Sequence, residues 1–290
     1  MSAGRLGIGL VGAGTAGPVL ASALRAAGHE VVGVVARSAD AIERADVMLP
    51  GVPVMEVEEL LGVAELVILA VPDAQIEPLV AGLADLGAWR MGTIVVHLAA
   101  HLGAEVLAPA RAVGAIPLAI HPLVRLTGWS ADVGALSGAP FLVSAPGPFL
   151  PIAQALVVEM GGEPIVVDES ERAAISAALS LGRTGIVSAV VRAHDALERA
   201  GIERPRELTR PLFLGSAEAA LVEGVFALGA PLRTGDAEAV RAQAIALGGL
   251  DPAARDAYEA GARDAIGMLV EGGRLGERAA DALLAALLEP

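Results

Sequence analysis

The chain has 290 residues, enough for two domains and a substantial core. A formal net charge of −14 argues against a surface that binds phosphate backbones, so nucleic acid is not an expected partner. Every basic residue is arginine, and lysine, asparagine and cysteine are absent, which excludes lysine Schiff-base and thiolate chemistry.

The first element is a short apolar strand, Leu6 to Val11, running into Gly12-Ala13-Gly14-Thr15-Ala16-Gly17 and then an alanine-rich helix ending near Gly28. This is the dinucleotide fingerprint in a strand-turn-helix setting. Gly12 permits the tight turn, Gly14 leaves room for a pyrophosphate, Gly17 lets helix and strand pack closely, and the helix N-terminus offers N–H groups to the anion. An export signal is the rival reading of Leu6 to Leu24, but its glycines do not suit a signal helix. A second strand, Val31 to Ala36, follows at βαβ spacing. Arg37-Ser38 stands where a carboxylate would accept the ribose of NAD, and a guanidinium with a hydroxyl suits the 2′-phosphate of NADP(H). The alternative is a solvated Arg37, with Asp40 taking the ribose of NAD(H).

Glu65 to Asp73 reads as a buried parallel strand ending in a proline turn, with a helix through Ile76, Leu79 and Leu83. Further short runs rich in β-branched residues read as strands at Thr93–His97, Ile116–His121, Pro140–Ser144 and Glu163–Val167. The longest uncharged run, Val133 to Val158, is broken by glycines and prolines and cannot be a continuous membrane-spanning helix. With a mean hydropathy of +0.63, the apolar excess points to a large helix interface or a dimer core. At Asp168-Glu169-Ser170-Glu171 an acidic helix start opens a long alanine-rich helix to about Ala200, and strands disappear. Helical patterns follow at Pro205–Val225, Asp236–Leu247, Pro252–Val270 and Glu277–Leu288. The expected architecture is α/β: a doubly wound, mostly parallel Rossmann domain over residues 1–168, then an all-helical domain over 169–290 for substrate binding and dimerisation. No metal-ligand spacing is present, and with no convincing targeting segment the cytoplasm is the expected compartment.

In an open α/β sheet the ligands lie beyond the carboxyl ends of the strands. Val71-Pro72-Asp73, His97 and His121-Pro122-Leu123 occupy such positions. His121 could donate a proton to a carbonyl or imine as hydride arrives, and Arg125 with Thr127 could hold a substrate carboxylate. His97 is expected to pack near the cofactor, His101 and His194 to be solvated, His29 to sit before a strand on the far edge, and Tyr258 to be a half-buried helix residue. On the long helix, Arg183 and Thr184 interrupt an apolar run between Gly182 and Gly185, making them second-rank candidates for a cleft.

The glycine fingerprint, Val34-Val35-Ala36-Arg37-Ser38, Ala70-Val71-Pro72-Asp73, Val95-Val96-His97, Ile120-His121-Pro122-Leu123 and the late Gly229–Asp236 stretch occur in an order that resembles Rossmann-like proteins with a helical C-terminal domain of unknown function. That group includes an alternative ketopantoate reductase and lies within the superfamily sharing the 6-phosphogluconate dehydrogenase-like C-terminal domain, with pyrroline-5-carboxylate reductases and prephenate dehydrogenases as cousins. The resemblance implies an NADP-dependent reductase that pairs through its helical domains. It places Gly12, Gly14, Arg37, Ser38 and Pro72 at the cofactor, and His121 with Pro122 at the substrate end. The chain departs from the group's His-Ser/Thr-Ser-Gly at His97-Leu98-Ala99-Ala100, and from its Tyr-His and Asn at Ile175-Ser176 and Thr184. These departures argue against ketopantoate itself. The segment Ala178 to Gly185 is similar to the corresponding pyrroline-5-carboxylate reductase helix, which keeps a cyclic imine open as substrate. A non-catalytic NADP(H) sensor or scaffold is the contrasting class.

Overall fold

The apolar runs become the strands of one sheet. In the computed structural model, which describes residues 5–288, β1 is Gly7–Val11, α1 Gly17–Ala26, β2 Glu30–Val35, α2 Ala39–Met48, α3 Val57–Val63, β3 Leu66–Leu69 and α4 Asp73–Asp85. Then follow β4 Ile94–His97, a 3-10 turn leading into α5 Ala108–Ala112, β5 Ile116–Pro122, α6 Ala131–Ala135, β6 Pro140–Ser144, α7 Leu150–Glu159 and β7 Glu163–Val166.

The strand order is β2-β1-β3-β4-β5-β6-β7. β2 to β5 are parallel to one another, β6 runs antiparallel to β5, and β7 is parallel to β6. The apolar runs are continuous rather than alternating because both faces of the sheet are covered. Leu66 and Ile68 of β3 pack with Leu20 and Leu24 of α1, while Val67 and Leu69 pack with Ile76 and Val80 of α4. Successive side chains thus feed two separate cores, as the period of a strand requires. The chain order reverses between β1 and β3, and the carboxyl ends of those strands form the switch point where open sheets bind ligands.

Helix α8, Arg172–Arg199, follows β7 in the chain. The chain divides within it into two compact units, one ending at Leu179 and the other beginning at Ser180. The second unit contains the rest of α8, α9 Pro205–Glu223, α10 Ala237–Leu250, α11 Pro252–Glu271 and α12 Glu277–Ala286. Its core is built from Val240, Ile266, Leu269 and Leu283. Asp236 and Asp251 start α10 and α11 by accepting hydrogen bonds from Ala239 N and Ala253 N, both at 3.0 Å. Among the described residues α8 is the one helix long and apolar enough to cross a membrane by length and composition, and its apolar stretch is not buried within the protein.

Candidate functional site

The glycine loop between β1 and α1 shows why each glycine stands where it does. Gly12 has φ +94°, and a Cβ there would lie 2.6 Å from Ala70 O. A Cβ on Gly17 would meet Ala70 Cβ and Gly12 O at 2.7 Å. Protein packing therefore demands both glycines. Gly14 differs: it is exposed, and the nearest atom to a Cβ there would be Ala70 O at 4.0 Å. Its missing side chain leaves open space above the loop. No side chain caps the start of α1, so its terminal N–H groups face the same space. Thr15 is exposed and Ala16 half-buried at the helix entrance.

Beyond β2, Arg37 and Ser38 are both exposed. Ser38 caps α2, its Oγ accepting from Ala41 N at 3.2 Å, which leaves the hydroxyl proton for a further acceptor. Asp40 lies in the first turn of the same helix. A residue that sequence reasoning did not single out, Arg44, reaches back from α2 to donate to Ala13 O at 3.0 Å, and its guanidinium lies 5.5 Å from the ring centroid of Trp129. Trp129 belongs to a turn held by buried Asp132, whose Oδ2 accepts from Thr127 N at 2.6 Å, Gly128 N at 2.7 Å and Trp129 N at 3.3 Å. Burial pushes the Asp132 carboxyl up, but these backbone bonds and the Thr127 hydroxyl outweigh it and hold the acid below its ordinary range. A Cβ on Gly128 would come within 3.1 Å of Thr15 Cα, so this turn rests directly on the glycine loop.

On the other side of the switch point, Val71 is half-buried and Pro72 and Asp73 are exposed where β3 passes into α4. Asp73 Oδ2 pairs with His101 Nδ1 at 3.2 Å, so His101 is not simply solvated. His97 ends β4 with no exposed surface; its Nε2 donates to Gly103 O at 2.9 Å and its Nδ1 accepts from Ala99 N at 3.2 Å. The His97 ring can therefore act only through the loop it holds. Burial lowers its pKa to about 4; the Gly103 bond opposes this, and the charges of Arg172, His101 and His121 add to it. His121 is half-buried in β5, its Nδ1 donating to Leu98 O at 2.8 Å. Pro122 is buried and Arg125 exposed, while the Thr127 hydroxyl bonds Asp132 at 3.0 Å.

Arg183 and Thr184 are exposed on the part of α8 that belongs to the second unit. His194 is bonded to Thr209 Oγ1 at 2.9 Å and stacks near Phe213, which corrects the expectation of a solvated face. His29 is buried at the amino edge of the sheet, accepting from Leu6 N and pairing with Glu159. Tyr258 is half-buried on α11, as expected, and donates to Gln243. Among the described residues no group of three or more His, Cys, Asp or Glu side chains converges on a common point. Arg44, Trp129, Asp132 and Arg172 escaped sequence reasoning because their roles depend on contacts between distant segments, which no local spacing announces.

Residues 1–122 match a Rossmann-like domain, and residues 139–265 match a domain of unknown function, DUF2520. No curated protein matches the chain. Among solved structures, a candidate NADP oxidoreductase of Bacteroides fragilis is similar at 20% identity and a TM-score of 0.73, over 90% of this chain and 98% of that one. An imine reductase of a Pseudomonas species is similar at 17% identity and a TM-score of 0.63, over 98% of this chain and 100% of that one. A reductive aminase of Aspergillus terreus, in complex with NADPH and ethyl levulinate, is similar at 15% identity and a TM-score of 0.64, over 97% and 99%. At such identities the likeness is one of fold. The chain thus joins a Rossmann-like domain to a DUF2520 domain.

Proposed function

We propose that the protein is an NADP(H)-dependent oxidoreductase that reduces a C=O bond in a small anionic substrate of the 2-keto acid type. The observation that carries this reading is the contrast within the glycine loop. Packing requires Gly12 and Gly17, whereas Gly14 faces open space beside an uncapped helix N-terminus, as a pyrophosphate cradle needs. The residues fit a dinucleotide. Gly12 to Gly17 would hold the pyrophosphate, Arg37 and Ser38 the 2′-phosphate, and Val71, Pro72 and Asp73 the far side of the cofactor. When bound, the nicotinamide supplies hydride to the substrate carbon.

The remaining work falls to the chain's own groups. The Nδ1–H bond to Leu98 O sets the tautomer and aim of His121, so Nε2 is the atom through which the ring would give up a proton. Donation from Nε2 requires the doubly protonated ring. Arg125 would anchor the substrate carboxylate. A second reading, reduction of a cyclic imine, is favoured by the fold's likeness to an imine reductase and a reductive aminase. The protein works as a cytoplasmic homodimer joined through its helical unit. Exposed apolar residues support that pairing, among them Leu181 on α8 and Leu212, Leu221 and Val222 on α9.

Replacing His121 with alanine should leave NADPH affinity unchanged and lower kcat by roughly 100-fold, the lower end of what a positioned proton donor supplies. Steady-state kinetics with 2-keto acids and cyclic imines checks this. Unchanged turnover would remove His121 from the mechanism, and the better class of substrate decides between C=O and C=N reduction.

A further inference from the structure

Arg172 opens α8 with none of its surface exposed, and its hydrogen bonds go to neutral acceptors: Nη1 donates to Ser144 Oγ at 3.0 Å and Nη2 to Ala99 O at 3.1 Å. Its Nε is buried without a hydrogen-bond partner. Burying a cation without a bonded carboxylate costs several kcal/mol, and a neutral donor would make a purely structural tie at less cost. Burial brings its pKa down to about 10, with Glu169 opposing, so it stays charged at neutral pH.

What Arg172 grips is the loop from Leu98 to Ala104, and the grip falls beside one particular peptide unit. Leu98 C=O and Ala99 N–H belong to the same planar amide. His121 Nδ1 donates to the oxygen of that amide at 2.8 Å, and its N–H donates to His97 Nδ1 at 3.2 Å. Arg172 takes the next carbonyl, Ala99 O, and so fixes the backbone between the two amide planes. Glu169, three residues before Arg172, secures the far end of the loop by accepting from Ala104 N at 2.8 Å. Ser144 in turn donates its hydroxyl proton to Val167 O at 2.7 Å, which ties the assembly to the end of β7. Segments distant in sequence thus converge on the loop whose Leu98 carbonyl orients His121.

We propose that Arg172 is a positioning residue for His121: by fixing Ala99 O it sets the Leu98 carbonyl that holds the His121 imidazole in its Nδ1–H tautomer, with Nε2 directed to the reacting atoms. The catalytic part of this rests on the proposed role of His121, whereas the tautomer itself is read without any reaction.

The test uses full-length protein with and without NADPH. Two-dimensional 15N–1H spectra of the imidazoles report which nitrogen of His121 carries the proton. Wild type should show a single Nδ1–H tautomer. Arg172→Met and the milder Ser144→Ala, each with wild-type far-UV circular dichroism, should show a mixture of tautomers. With the best substrate kcat should fall about tenfold or more, as losses of outer-layer partners do, while KM and the NADPH Kd change less than twofold. If Arg172→Met fails to fold, Ser144→Ala decides. An unchanged His121 tautomer in either folded variant overturns the proposal, even if thermal stability falls, because a merely structural arginine would lower stability alone. If no substrate is turned over by wild type, the reductase reading fails and the tautomer result still decides the role of Arg172.

Discussion

Buried His97 is neutral because its surroundings make protonation costly, and this gives the fold a measurable pH sensitivity. Its pKa falls from 6.5 to about 4, with burial as the largest cause. The unfolded chain therefore binds a proton that the native state refuses. Stability is complete above the unfolded value and is lost as pH falls toward the folded one. From pH 7 to 5, above the ordinary carboxylate range, the loss from this residue alone should be about 2 kcal/mol. Urea midpoints at the two pH values measure it. His97→Gln, which keeps an amide donor and acceptor, should flatten this slope, and an undiminished slope would show that another group is responsible. At this scale the sequence was informative about position and silent about partners. His97 and His121 were expected at strand ends, but nothing near either one told which backbone groups they would bind. Arg44 and Arg172 look like solvated arginines until α2 and α8 are packed.

The strands were legible because a sheet covered on both faces concentrates β-branched residues into short apolar runs. β6 falls at Pro140–Ser144, the range expected from sequence. The helices flanking it were not legible, since the prolines and glycines from Val133 to Val158 read as breaks. Pro151 sits at the first turn of α7, where its missing N–H costs nothing, so the break is in fact a helix start. The turn before α6 was equally hidden, because Asp132 acts on residues three to five positions before it. Asp132→Ala would leave the N–H groups of Thr127 and Gly128 without their acceptor and should cost about 1–3 kcal/mol, read as a drop in Tm. The carboxyl is depressed in the native state, so its contribution exists above the ordinary carboxylate range and disappears as pH falls through the lowered value. The turn rests on Thr15, so the same variant should weaken NADPH binding. Unaltered affinity would detach the turn from the site.

At the scale of the whole molecule, not all of the apolar excess is buried. Part of it fills the two faces of the sheet, and part lies exposed on α8 and α9, where Leu221 is 88% and Val222 86% exposed. Exposure of that size along adjacent helices is unusual for a monomer. Light scattering after size exclusion should give the mass of a dimer, and Leu221→Asp with Val222→Asp should shift it toward monomer. A wild-type monomer that partitions into liposomes would instead assign the apolar length of α8 to a membrane. Titrating the purified protein with NADPH and with NADH while following nicotinamide fluorescence, alongside Arg37→Asp, measures whether the glycine loop and Arg37 hold this cofactor. One charge-assisted contact to the 2′-phosphate is worth about 1.5–3 kcal/mol, so wild type should prefer NADPH by roughly 10- to 100-fold and the variant should lose that preference. Binding of neither nucleotide would contradict the oxidoreductase account at its foundation, and equal binding of both would remove Arg37 and Ser38 from the phosphate site.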